Sequence, residues 1–201
     1  MINLTFLFIK ISTLKISFIY LMILLSNKMI LIISTCADNL SEEEFVKPIA
    51  NIVGDCEIKH YNDVGYVDNY DKIIICGTAL QDNEFLKDLN KFNWLKNTDK
   101  EVLGICSGMQ IIALMFGAKI TKQKEIGMIK IKCKKNNRLF SKDIEVYELH
   151  NNGLENLDNF NILAETNSIQ SIKHKEKPFY GIMFHPEVRN EEIVRNFISL
   201  K

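Results

Sequence analysis

Two short stretches carry residue types that could act together as a nucleophile and its base. The first is Gly104-Ile105-Cys106-Ser107-Gly108-Met109-Gln110. A short apolar run ends at Cys106, small residues flank it, and a helical pattern starts at once. A side chain at a sharp strand-to-helix turn is held out at the sheet edge, which is the nucleophile-elbow arrangement with Cys in place of Ser. The N–H groups of the helix that follows point at the sulfur, favour thiolate over thiol, and can also stabilise an oxyanion. Taken alone, the stretch fits equally a small buried Cys whose glycines serve close strand–helix packing.

The second stretch is Phe184-His185-Pro186-Glu187. A Cys nucleophile needs a general base, and the base needs an acceptor that orients it. His185 stands at the end of an apolar run, and Glu187 follows two residues on, with Pro186 stiffening the link. By itself this would be a His at a strand end beside a solvated Glu. With an elbow Cys in the same chain, it reads as base and orienter.

The elements that must position these residues follow a recognisable order. "MILIIS", "CEIKHY", "DKIIICG" and "EVLGI" read as strands, three of them apolar throughout, as expected where both faces are covered. Between them, 41–53 reads as a helix with Ser41 as N-cap and Glu44 as its capping-box partner, interrupted at Pro48. "DNEFLKDLNKFNWL" reads as one amphipathic helix, with Phe85, Leu89, Phe92 and Leu95 on its apolar face. "SGMQIIALMFG" is a short helix closed by Gly117. After Gly117 the pattern changes to strands joined by turns: "GMIKIKC", "IEVYEL", "FNILAET" and "IQSIKH". A buried strand "FYGIMF" and a final helix "NEEIVRNFISL" end the chain. The expected fold is α/β, flavodoxin-like: an open, mostly parallel sheet with helices on both faces and a small antiparallel β insertion in the second half. In such sheets functional groups gather at the carboxyl ends of the strands, where Cys106 and His185 both fall.

Through these two motifs the chain resembles the class I (triad) glutamine amidotransferases. Residues 104–110 match that family's G-x-C-x-G-x-Q, and 181–187 its G-x-x-F-H-P-E. "NFNILAETNSIQSIKH" and "SIKHKEKPFYGIMFHPEV" look most similar to the separate amidotransferase subunit of archaeal-type GMP synthase. The resemblance implies that Cys106 attacks the side-chain amide of glutamine, forms a γ-glutamyl thioester and releases ammonia. His185 would move the proton, Glu187 would orient it, Ser107 would give an oxyanion N–H, and Gln110 would hold the substrate. His150 and Asn151 stand where the GMP synthase branch has a Ser-His pair near the α-amino and carboxylate groups; an ordinary polar loop fits them equally. The implied partners are glutamine and a separate, ATP-dependent synthetase, because a free ammonia producer would waste glutamine.

Three departures from the family pattern stand out. Gly77 and Thr78 occupy the place of a Gly-Gly-Pro whose glycine N–H completes the oxyanion hole, so either Gly77 supplies the donor in a shifted loop or the hole is weaker. "LHNN" replaces Ser-His-x-Asp, and "STCADN" follows the first strand in place of a Gly-Gln segment. Two other readings use the same residues: a Cys hydrolase acting on γ-glutamyl bonds without ammonia transfer, and a catalytically weak paralogue that binds and regulates a partner.

Composition removes several classes. Lys plus Arg is 25 and Asp plus Glu is 25, so no basic surface for nucleic acid is signalled. The five cysteines are scattered without a CxxC pair, which argues against zinc or a disulfide framework and fits a reducing cytosol. No metal-ligand spacing and no cofactor motif appears. Residues 1–28 form a hydrophobic leader with no acid and three Lys. They are read as lying upstream of a true start at Met29, or as disordered, ahead of a membrane anchor, because the longest charge-free run, Ile16 to Asn27, is short for a span. Residues 29–201 are read as one amidotransferase domain.

Overall fold

Uninterrupted Ile-rich runs build the centre of a sheet, and alternation along each strand sends neighbouring residues to opposite faces. A computed structural model describes residues 29–199. Strands β1 (Ile30–Ser34), β2 (Glu57–His60), β3 (Lys72–Ile75), β4 (Glu101–Ile105) and β9 (Phe179–Ile182) are parallel, in the spatial order β2-β1-β3-β4-β9. Ile30 and Ile32 of β1 face one side, where they pack with Phe45, Ile49, Ile193 and Phe197. Those partners come from helices α1 (Asn39–Phe45), α2 (Lys47–Val53) and α5 (Glu192–Ile198). Leu31 and Ile33 face the other side and meet Phe85, Phe92, Leu95 and the apolar residues of α4 (Ser107–Met115). A sheet buried on both faces is the outcome expected of strands without polar alternation.

The second half continues the same sheet in antiparallel fashion. Strands β5 (Lys119–Cys133), β6 (Ile144–Glu155), β7 (Phe160–Glu165) and β8 (Ile169–His174) give the full order β2-β1-β3-β4-β9-β8-β7-β5-β6. β5 and β6 form a long hairpin from Lys119↔Glu155 to Ile131↔Ile144, with a register irregularity between Lys122 and Glu125. The architecture is therefore α/β with a mixed nine-stranded sheet.

Three sequence expectations change. The first helix is capped by Asp38, whose Oδ1 accepts from Ser41 N at 2.9 Å, so Ser41 lies inside the helix and caps nothing. Pro48 does not kink a single helix; it sits in the first turn of α2, where its missing N–H is harmless, and the chain divides at Val46. The stretch 82–95 is not one helix. It forms 3-10 turns at Glu84–Leu86 and Leu89–Phe92, then a short helix α3 (Trp94–Asn97). Asp88, Asn90 and Asn93 break the run, as residues that compete with the helical backbone do. Phe85, Phe92 and Leu95 are buried all the same. The expectation for residues 1–28 falls outside the described residues. No helix among the described residues is long and apolar enough to cross a membrane.

Candidate active site

Cys106 is the residue between β4 and α4, and its backbone is held at φ 49, ψ −105. A non-glycine residue in this region costs of order 1–3 kcal/mol and persists only where its surroundings enforce it. Here the glycines enforce it. A Cβ on Gly104 would lie 2.4 Å from the carbonyl of Gly108, and a Cβ on Gly108 would lie 2.1 Å from Ile75 O. Strand, turn and helix are thus closer than any side chain allows. Cys106 N donates to Ile182 O at 2.8 Å, tying the turn to β9, and the thiol lies 3.7 Å from Leu149 O of β6. First-turn N–H groups of a helix have no partner within it, so the N–H of Ser107 faces the same space.

His185 and Glu187 follow β9 in a turn closed by Val188 N donating to His185 O at 3.3 Å. His185 Nδ1 lies 2.7 Å from Glu187 Oε1, and both side chains are buried. That contact turns Nε2 toward the cysteine. Burial alone would lower the imidazolium pKa. The charges of Glu187 and Cys106, with hydrogen bonding to both, outweigh it and hold His185 well above the ordinary histidine value. Gly77 completes the packing: a Cβ there would lie 2.8 Å from His185 Cε1 and 3.3 Å from Cys106 Cβ. Cys106, His185 and Glu187, which come from distant motifs, are therefore brought together with Gly77 against them. An acceptor-held imidazole beside a thiol can take its proton and return it to a leaving group.

Thr78 stands where a second glycine was expected, yet it is not among the positive-φ residues. Its β-branched side chain is accommodated without a left-handed backbone. Its hydroxyl donates to Asp82 Oδ2 at 2.7 Å, and the same oxygen accepts from Ala37 N at 3.0 Å. Asp82 thus pins the 77–78 loop to the segment after β1. The Ser107 hydroxyl is taken up by Cys76 O at 3.1 Å and Thr35 Oγ1 at 2.8 Å, which leaves its backbone as its contribution to the site.

A pocket opens beside Cys106, lined among others by Thr78, Asp82, Gln110, His150, Asn151 and Asn152. Gln110 Nε2 donates to Asn152 O at 3.3 Å, and Asn151 Nδ2 to Leu80 O at 3.5 Å. His150 and Asn151 belong to strand β6, so the polar-loop alternative for them is overturned; paired backbone on both sides of "HNN" makes the segment a strand. His150 Nδ1 contacts Gln123 O at 3.1 Å, and Nε2 faces Glu148 Oε2 at 3.2 Å and Glu125 Oε2 at 3.3 Å. This cluster of two carboxylates and an imidazole has its potential ligand atoms within 4.8 Å of one another. Sequence spacing gave no sign of it, because Glu125 and His150 meet only through the β5–β6 register. Asp82, Glu125 and Glu148 were missed as site residues. The one available signal was for Glu148 and His150: in a strand, residues two apart share a face.

Comparison with known proteins agrees with this arrangement. The family model "Glutamine amidotransferase class-I" matches residues 45–200. The glutamine-hydrolysing GMP synthase subunit of Thermoplasma acidophilum is 34% identical over 151 residues, covering 69% of this chain and 76% of that protein. Its counterpart from Pyrococcus abyssi is 37% identical over 121 residues, covering 53% of this chain and 64% of that protein. Among solved structures, a GMP synthase subunit from Thermoplasma acidophilum superposes with a TM-score of 0.76 at 29% identity, covering 86% of this chain and 92% of that one. A glutamine amidotransferase from Thermotoga maritima shares the fold, with a TM-score of 0.62 at 18% identity over 86% of this chain and 81% of that one. The family match over most of the chain, on a fold that sets a strained Cys against a buried His–Glu pair, makes this protein a member of the class I glutamine amidotransferases.

Proposed function

We propose that the chain is the glutamine-hydrolysing subunit of a two-subunit, GMP-synthase-like enzyme, and that Cys106, His185 and Glu187 carry the reaction. The observation that carries this reading is the strained Cys106 at the start of α4, beside a buried His185 whose other nitrogen is held by Glu187. The Cys106 sulfur attacks the side-chain amide carbon of glutamine. The carbonyl oxygen takes the charge and faces the Ser107 N–H and the N–H groups of the Gly77–Thr78 loop. His185 passes a proton to the leaving nitrogen, ammonia departs, and a γ-glutamyl thioester remains. Water, deprotonated by His185, then attacks the thioester, releases glutamate and restores the thiol. Gln110 and the 150–151 segment hold the substrate in the pocket. The ammonia serves an ATP-dependent synthetase on another chain, as the names of the relatives suggest.

The parallel half, in the order β2-β1-β3-β4-β9, fits a flavodoxin-like core, and residues 29–201 fit one amidotransferase domain working in the cytosol. The five cysteines are free, in keeping with that compartment. Glutamate and ammonia release by the purified chain, assayed alone and with an ATP-dependent synthetase partner, tests the reading. Release is expected, faster with the partner; no glutamate in either case contradicts it.

Gly77→Ala is expected to lower kcat for glutamine by about 100-fold, because its Cβ displaces His185 from Cys106 and a misplacement on the order of 1 Å can cost that much. The stability should change far less than the rate. Steady-state kinetics beside a thermal melt check this; a kcat within a factor of three of the parent would refute it.

A further inference from the structure

We propose that Glu148 is a positioning residue for glutamine, acting through His150 on the Leu149–Asn152 stretch of β6 that walls the pocket; this rests on the glutaminase reading above. β6 ends the sheet and pairs with β5 alone. Its middle nonetheless presents backbone to each part of the site. Tyr147 O accepts from His185 N at 2.9 Å, Leu149 O faces the Cys106 thiol, and Asn152 O accepts from Gln110 Nε2 at 3.3 Å. The ladder that should fix this stretch is irregular between Lys122 and Glu125, immediately beside His150. An end strand with a broken ladder needs another anchor.

The inward side chains supply it. Glu148 and His150 are almost wholly buried, at 0% and 2% exposure. His150 Nδ1–H donates to Gln123 O, so Nε2 is the atom that faces the two carboxylates. A bare lone pair there would be repelled, and a proton on Nε2 turns the repulsion into two ion pairs. Burial opposes that proton, but Glu148 and Glu125 outweigh it and raise the His150 pKa. Glu125 has further partners: Ser168 Oγ and Gln170 Nε2 each donate to its Oε2 at 2.6 Å, and Thr166 Oγ1 lies 3.2 Å from its Oε1. Glu148 differs, because neither of its oxygens meets a hydrogen-bond donor in good geometry. His150 is its contact ion pair, and the charge of His185 reaches it from farther away. Burial pushes the Glu148 carboxyl upward, so its ionised form depends on His150 staying charged. The two residues form one unit, and what that unit holds in place is the pocket wall.

The test is a cycle of Glu148→Gln, His150→Gln and the double variant, with KM and kcat for glutamine, melting curves, and the rate of Cys106 alkylation by iodoacetamide. Glu148→Gln is expected to raise KM about 10-fold with kcat within about threefold, and to leave alkylation at the parent rate, as loss of roughly one buried charged contact in substrate positioning would do. In the His150→Gln background it should add little, because coupled residues are not additive. Glu148→Asp, which keeps the charge on a shorter arm, should fall between parent and Glu148→Gln, so the idea stays testable even if the amide variant folds poorly. An unchanged KM, or fully additive effects, would overturn the proposal. So would activity lost to EDTA and restored by a divalent ion, which would put a metal where the proton is placed. If the parent hydrolyses no glutamine, the glutaminase reading itself falls; if the parent is active and Glu148→Gln matches it, only this proposal falls.

Discussion

Cys106→Ala is expected to reduce glutamine hydrolysis by roughly 10⁴-fold or more, the scale on which loss of a nucleophile acts when its companions function only together with it. The alanine keeps Cβ, and the buried turn around it is held by glycines and by the Cys106 N to Ile182 O bond, which the substitution leaves in place. The melting temperature should therefore stay within a few degrees of the parent. The combination is what matters: a fold that survives and a reaction that does not. Cys36 and Cys76 lie close by and are buried, but neither stands at a helix start, and burial raises both thiols above the ordinary value. Neither is placed to substitute for Cys106. Hydrolysis by Cys106→Ala within tenfold of the parent would remove the cysteine from the mechanism.

Gly108→Ala should damage the fold and the reaction together. Its Cβ would come 2.1 Å from Ile75 O, a backbone atom in the middle of the sheet, so α4 must move away from β3. Overpacking of a filled interior costs about 3 kcal/mol at the upper end of its usual range. For a chain of this size that is a fall of roughly 6–12 °C in melting temperature. The start of α4 carries Cys106, so activity should fall at least 100-fold in the protein that remains folded. Gly117→Ala is the comparison. Gly117 has φ +93, but a Cβ there meets nothing within 4 Å. Its cost is conformational, about 1 kcal/mol, and activity should be retained. Thermal melts and glutaminase assays on both variants separate collision from conformation; equal behaviour of the two would refute a packing origin for the Gly108 effect.

Those glycines explain why the catalytic centre was legible in the sequence. An apolar run that ends in Gly-x-Cys-x-Gly leaves few backbone solutions, and "FYGIMF" before His185 places the histidine at the matching sheet edge. The parallel strands were legible for a related reason: Ile-rich runs such as 73–75 fit only a sheet covered on both faces. The stretch 82–95 misled because its apolar spacing suits a helix, while Asp88, Asn90 and Asn93 favour a series of short turns. Both patterns bury Phe85 and Phe92, so periodicity could not choose between them. The first helix start misled in the same way, since Asp38 and Ser41 are both good caps and only the geometry selects Asp38. Asp82, Glu125 and Glu148 were illegible because charge in a sequence reads as surface. Their burial comes from partners 45, 25 and 2 residues away: Ala37, His150 and His150. The "HNN" segment read as a loop by composition and became a strand because β5 lies opposite it.

The central claim is that Cys106 forms a covalent bond with the side-chain amide carbon of glutamine. Trapping with an electrophilic glutamine analogue, followed by peptide mass mapping of all five cysteines, tests it most directly. One adduct is expected, on Cys106, slowed by added glutamine and absent from Cys106→Ala. An adduct on another cysteine, or none on a folded protein, would contradict it.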